Sequence, residues 1–446
     1  MKLPPVRRLL IPGLIALAAG LIALVVVLDE DDSNKDDADA TGSPALNRLP
    51  HINRCVRPAD TQGEDDEGLE LETISRRVEE LRSLSFVTPP EVELVSIEGI
   101  DDRIKRQFES DYTAQMEEID RRLIVALGIA PAGTDVGELL AEGLRGQVAG
   151  FYDPEDETLF VASEDDPGLI ERITVAHELT HALTDQRLEL PPVETDRTRD
   201  DAQLAEAALV EGDAVLLEEL YLTRHTSSDD LLGALRAVAD YDLESISRLP
   251  DFIQRSFLFP YVDGAEFVCS LYQRGGWPAV DRAYRELPRS SAEILFPERY
   301  GQPAREPRPS SPPGDGWTTE LEGEFGAASL LWLLQAPGGD VKRALPAPRG
   351  LVSAWGGDQL SLWSRGEQTA MGLAFLERDP DSSALCAAVG GWYTATFPNS
   401  KRPQSAPGEE LAFSDGAQSA ALRCPPGEAR LGIAPDLATA RRIAAP

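Results

Sequence analysis

The sequence predicts an α+β protein, mostly helical, with a small mixed sheet. Apolar residues recur at helical spacing through most of the stretch from Leu71 to Leu220. Short runs of β-branched and aromatic residues, bounded by Pro, Gly and Asp, interrupt that spacing as strands do. With 446 residues and 42 % hydrophobic side chains, the chain can bury a sizeable core but is too polar for a polytopic membrane protein.

The first element is N-terminal. Lys2, Arg7 and Arg8 precede an uncharged apolar run from Leu9 to Leu28, and Asp29, Glu30, Asp31 and Asp32 follow at once. About 20 apolar residues cross a hydrocarbon core as a helix. Positive charge before the run and acid after it favour a cytoplasmic N-terminus. Val26, Val27, Leu28 and Asp29 make a poor cleavage site, and no cysteine follows closely enough to be lipidated. Segment 1–28 is therefore expected to be a signal-anchor rather than a cleaved signal. It would make a single-pass cell-membrane protein whose later segments are extracytoplasmic. Segment 29–68, rich in Asp, reads as an extended, self-repelling stalk.

A main domain is expected over 69–301. Leu71, Ile74, Val78, Leu81 and Leu84 mark a helix that Pro89 and Pro90 stop. Val92, Leu94, Val95 and Ile97 read as a short strand, and Ile104 to Leu127 as one long amphipathic helix ended by Gly128. Gly146 to Ala162 reads as strand, turn, strand, with Val148, Gly150, Phe151 and Tyr152 entering Asp153-Pro154 and Leu159, Phe160 and Val161 returning. Asp166 as cap and Pro167 at the first turn start the next helix, whose apolar face is Ile170, Ile173, Ala176 and Leu183. Asp200 or Asp201 caps a further helix through Leu204, Ala208, Val215 and Leu220. Five prolines between Gln302 and Gly316 suggest a linker over 302–316. A helical module over 317–397 and a poorly ordered tail over 398–446 complete the expected organisation.

The 77 Asp+Glu against 42 Lys+Arg give a net charge of −35, which argues against nucleic acid as a partner. Cys55, Cys269, Cys386 and Cys424 are an even number in an oxidising compartment, so up to two disulfides can form, in any of three pairings. No C-x-x-C occurs, which leaves a thiolate zinc site unsupported.

The chemistry concentrates in His177-Glu178-Leu179-Thr180-His181. Histidines four apart share a helical face, so both imidazoles can reach one ion. Glu178 is rotated by about 100° and falls beside that ion, near a bound water. Zinc suits such a set with one open position, and Glu178 suits a general base. The third ligand is expected to be Glu211, in a segment where Gly212 would let two helices approach closely. Glu206, Asp213 and Glu218 are the alternatives. Asp213 is the first choice for the carboxylate that orients a ligand histidine. An oxyanion donor is sought among Tyr261, His225, Tyr221 and Tyr300, the first two preferred. The strand from Gln147 to Tyr152, or its partner from Thr158 to Val161, is a candidate edge for an extended substrate. Metal affinity should fall below about pH 6 as the histidines protonate.

His177–His181 followed by Glu211-Gly212-Asp213-Ala214 resembles the gluzincin group of zinc metallopeptidases. Alanyl-type aminopeptidases carry a similar Asn-Glu-Gly-x-Ala segment whose Glu binds zinc; that Glu matches Glu211, with Val210 in place of the Asn. The metzincin continuation is excluded, because Thr184 and Arg187 stand where it requires Gly and His. The chain also resembles a set of bacterial and archaeal membrane-attached proteins. That likeness rests on Gln147 to Pro154, on His177 to Gln186 and on Gly264 to Tyr300, and extends weakly to Trp355-Gly356-Gly357-Asp358. Within it, Phe296 replaces an expected His and reads as part of a structural turn.

The resemblance implies a zincin-like catalytic domain holding Zn2+ and acting on a peptide or protein substrate. The alternative is a non-catalytic cell-surface module on the same scaffold, with any zinc structural.

Overall fold

A computed structural model describes residues 55, 71–144, 150–154, 156–162, 168–192, 197–226, 248–406 and 408–445. The expected membrane helix over 1–28, the stalk apart from Cys55, and Asp166 and Pro167 lie outside the described residues; the helix expected to start at Pro167 starts at Leu169, with Gly168 rather than Asp166 in the cap position. Among the described residues no helix is long and apolar enough to cross a membrane.

The protein is mixed α+β. Helix α1 (Leu71–Arg82) leads to strand β1 (Glu91–Val95). The expected long helix to Leu127 is two, α2 (Ile97–Asp111) and α3 (Ala114–Ala126). The break has a local cause: Thr113 caps α3 by accepting from the Met116 amide, as Ser96 caps α2 from Gly99. Gly128, at φ 68°, ends α3 as expected. After α4 (Val136–Leu144) come β2 (Gly150–Asp153) and β3 (Thr158–Ala162). These three strands form one small mixed sheet in the order β1-β3-β2, with β1 parallel and β2 antiparallel to β3.

Two long helices carry the centre of the molecule, α5 (Leu169–Leu188) and α6 (Asp200–His225). Neither has a strong one-sided pattern, because both are buried nearly all round. Asp200 and Asp201 occupy the first turn of α6 and neither caps it; Arg199 holds the cap position without a side-chain bond. Helix α7 (Asp251–Gly275) packs along α6, and α8 (Trp277–Arg285) and α9 (Ser291–Leu295) follow. Gly212 and Gly264 meet at the α6–α7 crossing: a Cβ on Gly212 would overlap the Gly264 carbonyl, and one on Gly264 the Ala208 carbonyl. The close approach expected of Gly212 is thus made to α7. The Arg82 guanidinium binds Asp213 at 2.9 Å and Asp281 at 2.7 Å and stacks 4.3 Å over the Trp277 ring, tying α1, α6 and α8.

The C-terminal third departs from expectation. It is built on a six-stranded antiparallel sheet, not on helices alone. The strands are β4 (Thr318–Gly323), β5 (Trp355–Arg365), β6 (Gln368–Glu377), β7 (Leu411–Ser414), β8 (Ser419–Arg423) and β9 (Glu428–Ala434), in the order β4-β5-β6-β9-β8-β7. Helices α12 (Ala384–Thr396) and α13 (Leu437–Ile443) pack on it, and α10 (Ala327–Gln335) and α11 (Pro348–Val352) pack on each other and on α12. The expected low-complexity tail supplies three of these strands and α13. Its alanines and glycines are what a closely packed sheet needs: Ala420, Ala421 and Ala429 are buried, and Gly432 lies against the α13 backbone. The proline-rich segment is no free linker either. Arg430 donates to the Arg308 and Pro309 carbonyls at 3.1 and 3.0 Å, and the Arg305 amide donates to Gly356 O at 2.8 Å. One buried apolar cluster runs from Ile74 to Ile433 and crosses the expected domain boundary. The disulfides are Cys55–Cys269 and Cys386–Cys424.

Candidate metal centre

Helix α5 is built to be buried. Glu171 accepts from the Gly168 amide at 2.7 Å, which satisfies one N-terminal donor. Thr174, Thr180 and Thr184 return their hydroxyls to the carbonyls four residues back, so their polarity is met within the helix. His177 and His181 lie one turn apart on the face toward α6, and Glu211 and Glu218 lie two turns apart on α6 facing them.

These side chains converge. His177 Nε2 and His181 Nε2 are 3.0 Å apart. Glu211 Oε2 is 3.2 Å from the first and 3.5 Å from the second. On its far side His177 donates from Nδ1 to Glu218 Oε1 at 2.6 Å. Glu178 points its carboxylate into the same space, with ligand atoms of His177, Glu178 and His181 all within 4.8 Å of one another. Its Oε2 accepts from the Tyr152 amide at 2.8 Å. Exposures are 0 % for His177, 1 % for Glu178, 5 % for His181 and 0 % for Glu211.

The buried group can hold a metal ion. Two Nε2 atoms and a carboxylate oxygen this close can share one cation. Glu178 Oε1 and Glu211 Oε1 are buried without a hydrogen-bond partner, the pattern of a donor set with capacity to spare. Imidazole nitrogen with carboxylate oxygen suits a divalent transition metal, zinc among them.

The electrostatics of these side chains agree. Burial pulls the His177 imidazole toward neutrality, but the Glu218 charge and the bonds to Glu211 and Glu218 outweigh it and hold its pKa well above the usual value. Burial alone would raise Glu211, yet the His181 charge and the two imidazole bonds keep it below the ordinary range. Glu178 is pushed up to about 7, chiefly by burial, against the pull of His181 and His177.

The other expected site residues scatter. Tyr261 is near, its ring stacked 6.4 Å from that of His177. His225 is not: it ends α6, 14 residues and about 21 Å of helix beyond Glu211. It packs on Tyr221 instead, and its pKa is lowered to about 4 by burial and then by Arg77. The Tyr221 hydroxyl accepts from Arg77 at 3.2 Å, and Tyr300 donates to the Glu286 carbonyl. Asp213 does not orient a histidine: it is committed to Arg82 and to the Tyr284 hydroxyl, at 2.9 Å each. Glu206 pairs with Arg199 at 2.8 Å. Phe296 ends α9, with the Arg299 guanidinium 4.0 Å over its ring, in line with a structural turn. Of the two candidate substrate edges, the strand from Thr158 is the central one of its sheet, and β2 is an edge whose Tyr152 amide is already bonded.

Glu218 is the orienting carboxylate. Its signal was present in the spacing: Glu211 and Glu218, seven apart on one face, reach the two nitrogens of one imidazole. The Tyr152 amide left no signal, because every residue but proline has one.

No family model matches the chain, and comparison with curated proteins and with solved structures gives no significant match.

Proposed function

We propose that the protein is a zinc-dependent peptidase of the gluzincin type, with a zincin-like domain. One observation supports this above the rest: His177 Nε2, His181 Nε2 and Glu211 Oε2 lie within 3.0–3.5 Å of one another, with the Glu178 carboxylate beside them. His177, His181 and Glu211 would hold the ion. When bound, zinc supplies a Lewis acid that polarises a carbonyl and acidifies water. The chain supplies the rest. Glu218 fixes the tautomer and tilt of His177. Glu178 receives the proton of the attacking water at Oε1 and delivers it to the leaving amine as the C–N bond breaks. The substrate would be an extracytoplasmic peptide or protein, and the apolar run at Leu9 to Leu28 would tether the enzyme to the cell membrane.

Metal analysis of the purified full-length chain, beside peptide hydrolysis by Glu178→Gln and His181→Ala, tests the reading. Stoichiometric zinc in wild type, zinc without hydrolysis in Glu178→Gln, and neither in His181→Ala are expected. Activity in Glu178→Gln equal to wild type would remove Glu178 from its role.

The near-complete burial of the four groups favours a second reading, a structural metal in a surface module. A fourth protein ligand found by zinc-edge spectroscopy would select it, and an exchangeable water ligand would reject it.

A further inference from the structure

We propose that the main-chain amide of Tyr152 is the positioning group for Glu178, fixing Oε2 and leaving Oε1 as the working oxygen. This rests on the peptidase reading above. The Tyr152 amide donates to Glu178 Oε2 at 2.8 Å, and both residues are buried. Glu178 Oε1 has no partner. The two oxygens of one carboxylate are therefore unequal before any substrate arrives.

The geometry explains why a backbone group does this. Tyr152 pairs with Leu159 in the antiparallel β2–β3 ladder, and Phe151 with Phe160. Successive amides in such a ladder point alternately toward the partner strand and away from it. Tyr152 is in the outward register, on the edge that faces α5. An amide held in a strand cannot swing away as a side chain can, so it locks the carboxylate without a rotamer of its own to order. Two further features set the distance. The Tyr152 hydroxyl bonds Asp185 Oδ2 at 3.2 Å, seven residues beyond Glu178 on the same helix. Tyr152 thus spans two turns of α5 and stops the strand from sliding along it. Gly150 lets the strand lie close, since a Cβ there would come within 2.9 Å of the Phe160 carbonyl and 3.2 Å of Thr174 Cγ2.

The test replaces single amides by esters in the full chain. Suppression at codon 152 with 4-hydroxyphenyllactic acid keeps the phenol and deletes only the N–H. The same exchange at Phe151 deletes a ladder N–H and spares Glu178. With the Tyr152 ester, kcat should fall about 10-fold or more while KM and bound zinc stay unchanged, since misplacing a catalytic group by an ångström is that costly. The Phe151 ester should lower thermal stability without that loss of kcat. A second readout needs neither metal nor activity: in the metal-free, 15N-tyrosine-labelled protein, the Tyr152 amide resonance should lie downfield and move in Glu178→Ala. Wild-type kcat in the Tyr152 ester, or an amide resonance that ignores Glu178→Ala, overturns the proposal. If wild type hydrolyses no peptide at all, the peptidase reading is lost, while the resonance still decides whether the amide anchors Glu178.

Discussion

Glu218 shows how a single side chain can tune a site without entering it. Its Oε1 accepts a hydrogen bond from His177 Nδ1 at 2.6 Å, which turns Nε2 toward His181 and Glu211. Carboxylates in that position raise ligand basicity and fix ring orientation, and losing them weakens metal binding by about 10–100-fold. Glu218→Ala should therefore lower zinc affinity by about that factor in a chelator-competition titration. Glu218→Gln, which keeps an acceptor but not the charge, should lose less. Equal affinity in wild type and Glu218→Ala would mean that the ring is held by packing alone. The convergence of His177, His181 and Glu211 was legible from sequence, because side chains four apart share a helical face and a Glu-Gly pair marks a close crossing. Asp213 misled for a physical reason. Every acid on α6 is a candidate until its partner is known, and the partner of Asp213 is Arg82, 131 residues away.

At the scale of elements, the α6–α7 crossing sets where Glu211 stands. Gly212 is the next residue, and its missing side chain lets the two backbones touch. Gly212→Ala should gain up to about 1 kcal/mol in helix propensity. It should lose more, about 1–3 kcal/mol net, because the obstacle is a backbone carbonyl that cannot turn aside. Urea denaturation measures this, and a midpoint at or above wild type would show that the helices part freely. Zinc affinity should fall with stability, since moving α6 moves Glu211. The sequence made α1, α5 and the β2–β3 hairpin legible through apolar spacing and turn residues. It did not reveal the break at Tyr112, which one threonine cap decides. Nor did it reveal β7 to β9, whose alanine-rich runs look like low complexity until they are stacked. Small side chains carry little periodicity, and the cross-strand partners that give them meaning are remote in sequence.

Across the whole molecule, three acids gather where the helical part meets the six-stranded sheet. Asp201, in the first turn of α6, accepts from the Ser291 amide at 3.0 Å, and its other oxygen has no partner. Asp358, from β5, accepts from the Phe325 and Gly326 amides and from Trp355 Nε1, all at 2.8 Å. Glu324 accepts from the Ala202 amide at 3.1 Å. Burial first, and Asp358 second, push Asp201 from 3.8 up to about 8, against the pull of Ser291. The sign of the consequence follows from proton counting. Below pH 3.8 both folded and unfolded chains hold the Asp201 proton. From there to about 8 the folded chain keeps it and the unfolded chain releases it, so stability falls as pH rises, and above about 8 the full penalty applies. The junction should therefore loosen in alkali. Asp201→Asn keeps the acceptor for Ser291 and removes the ionisation. It should match wild type near pH 4 and exceed it at pH 8 by up to about 5 kcal/mol, read as the difference between urea midpoints across that range. Parallel pH profiles for the two proteins would show that Asp201 ionises in the fold without penalty and that the acidic junction is screened by water. A variant that gained stability equally at both ends would place the benefit in packing against Gly326, where a Cβ would overlap the Asp201 carboxylate.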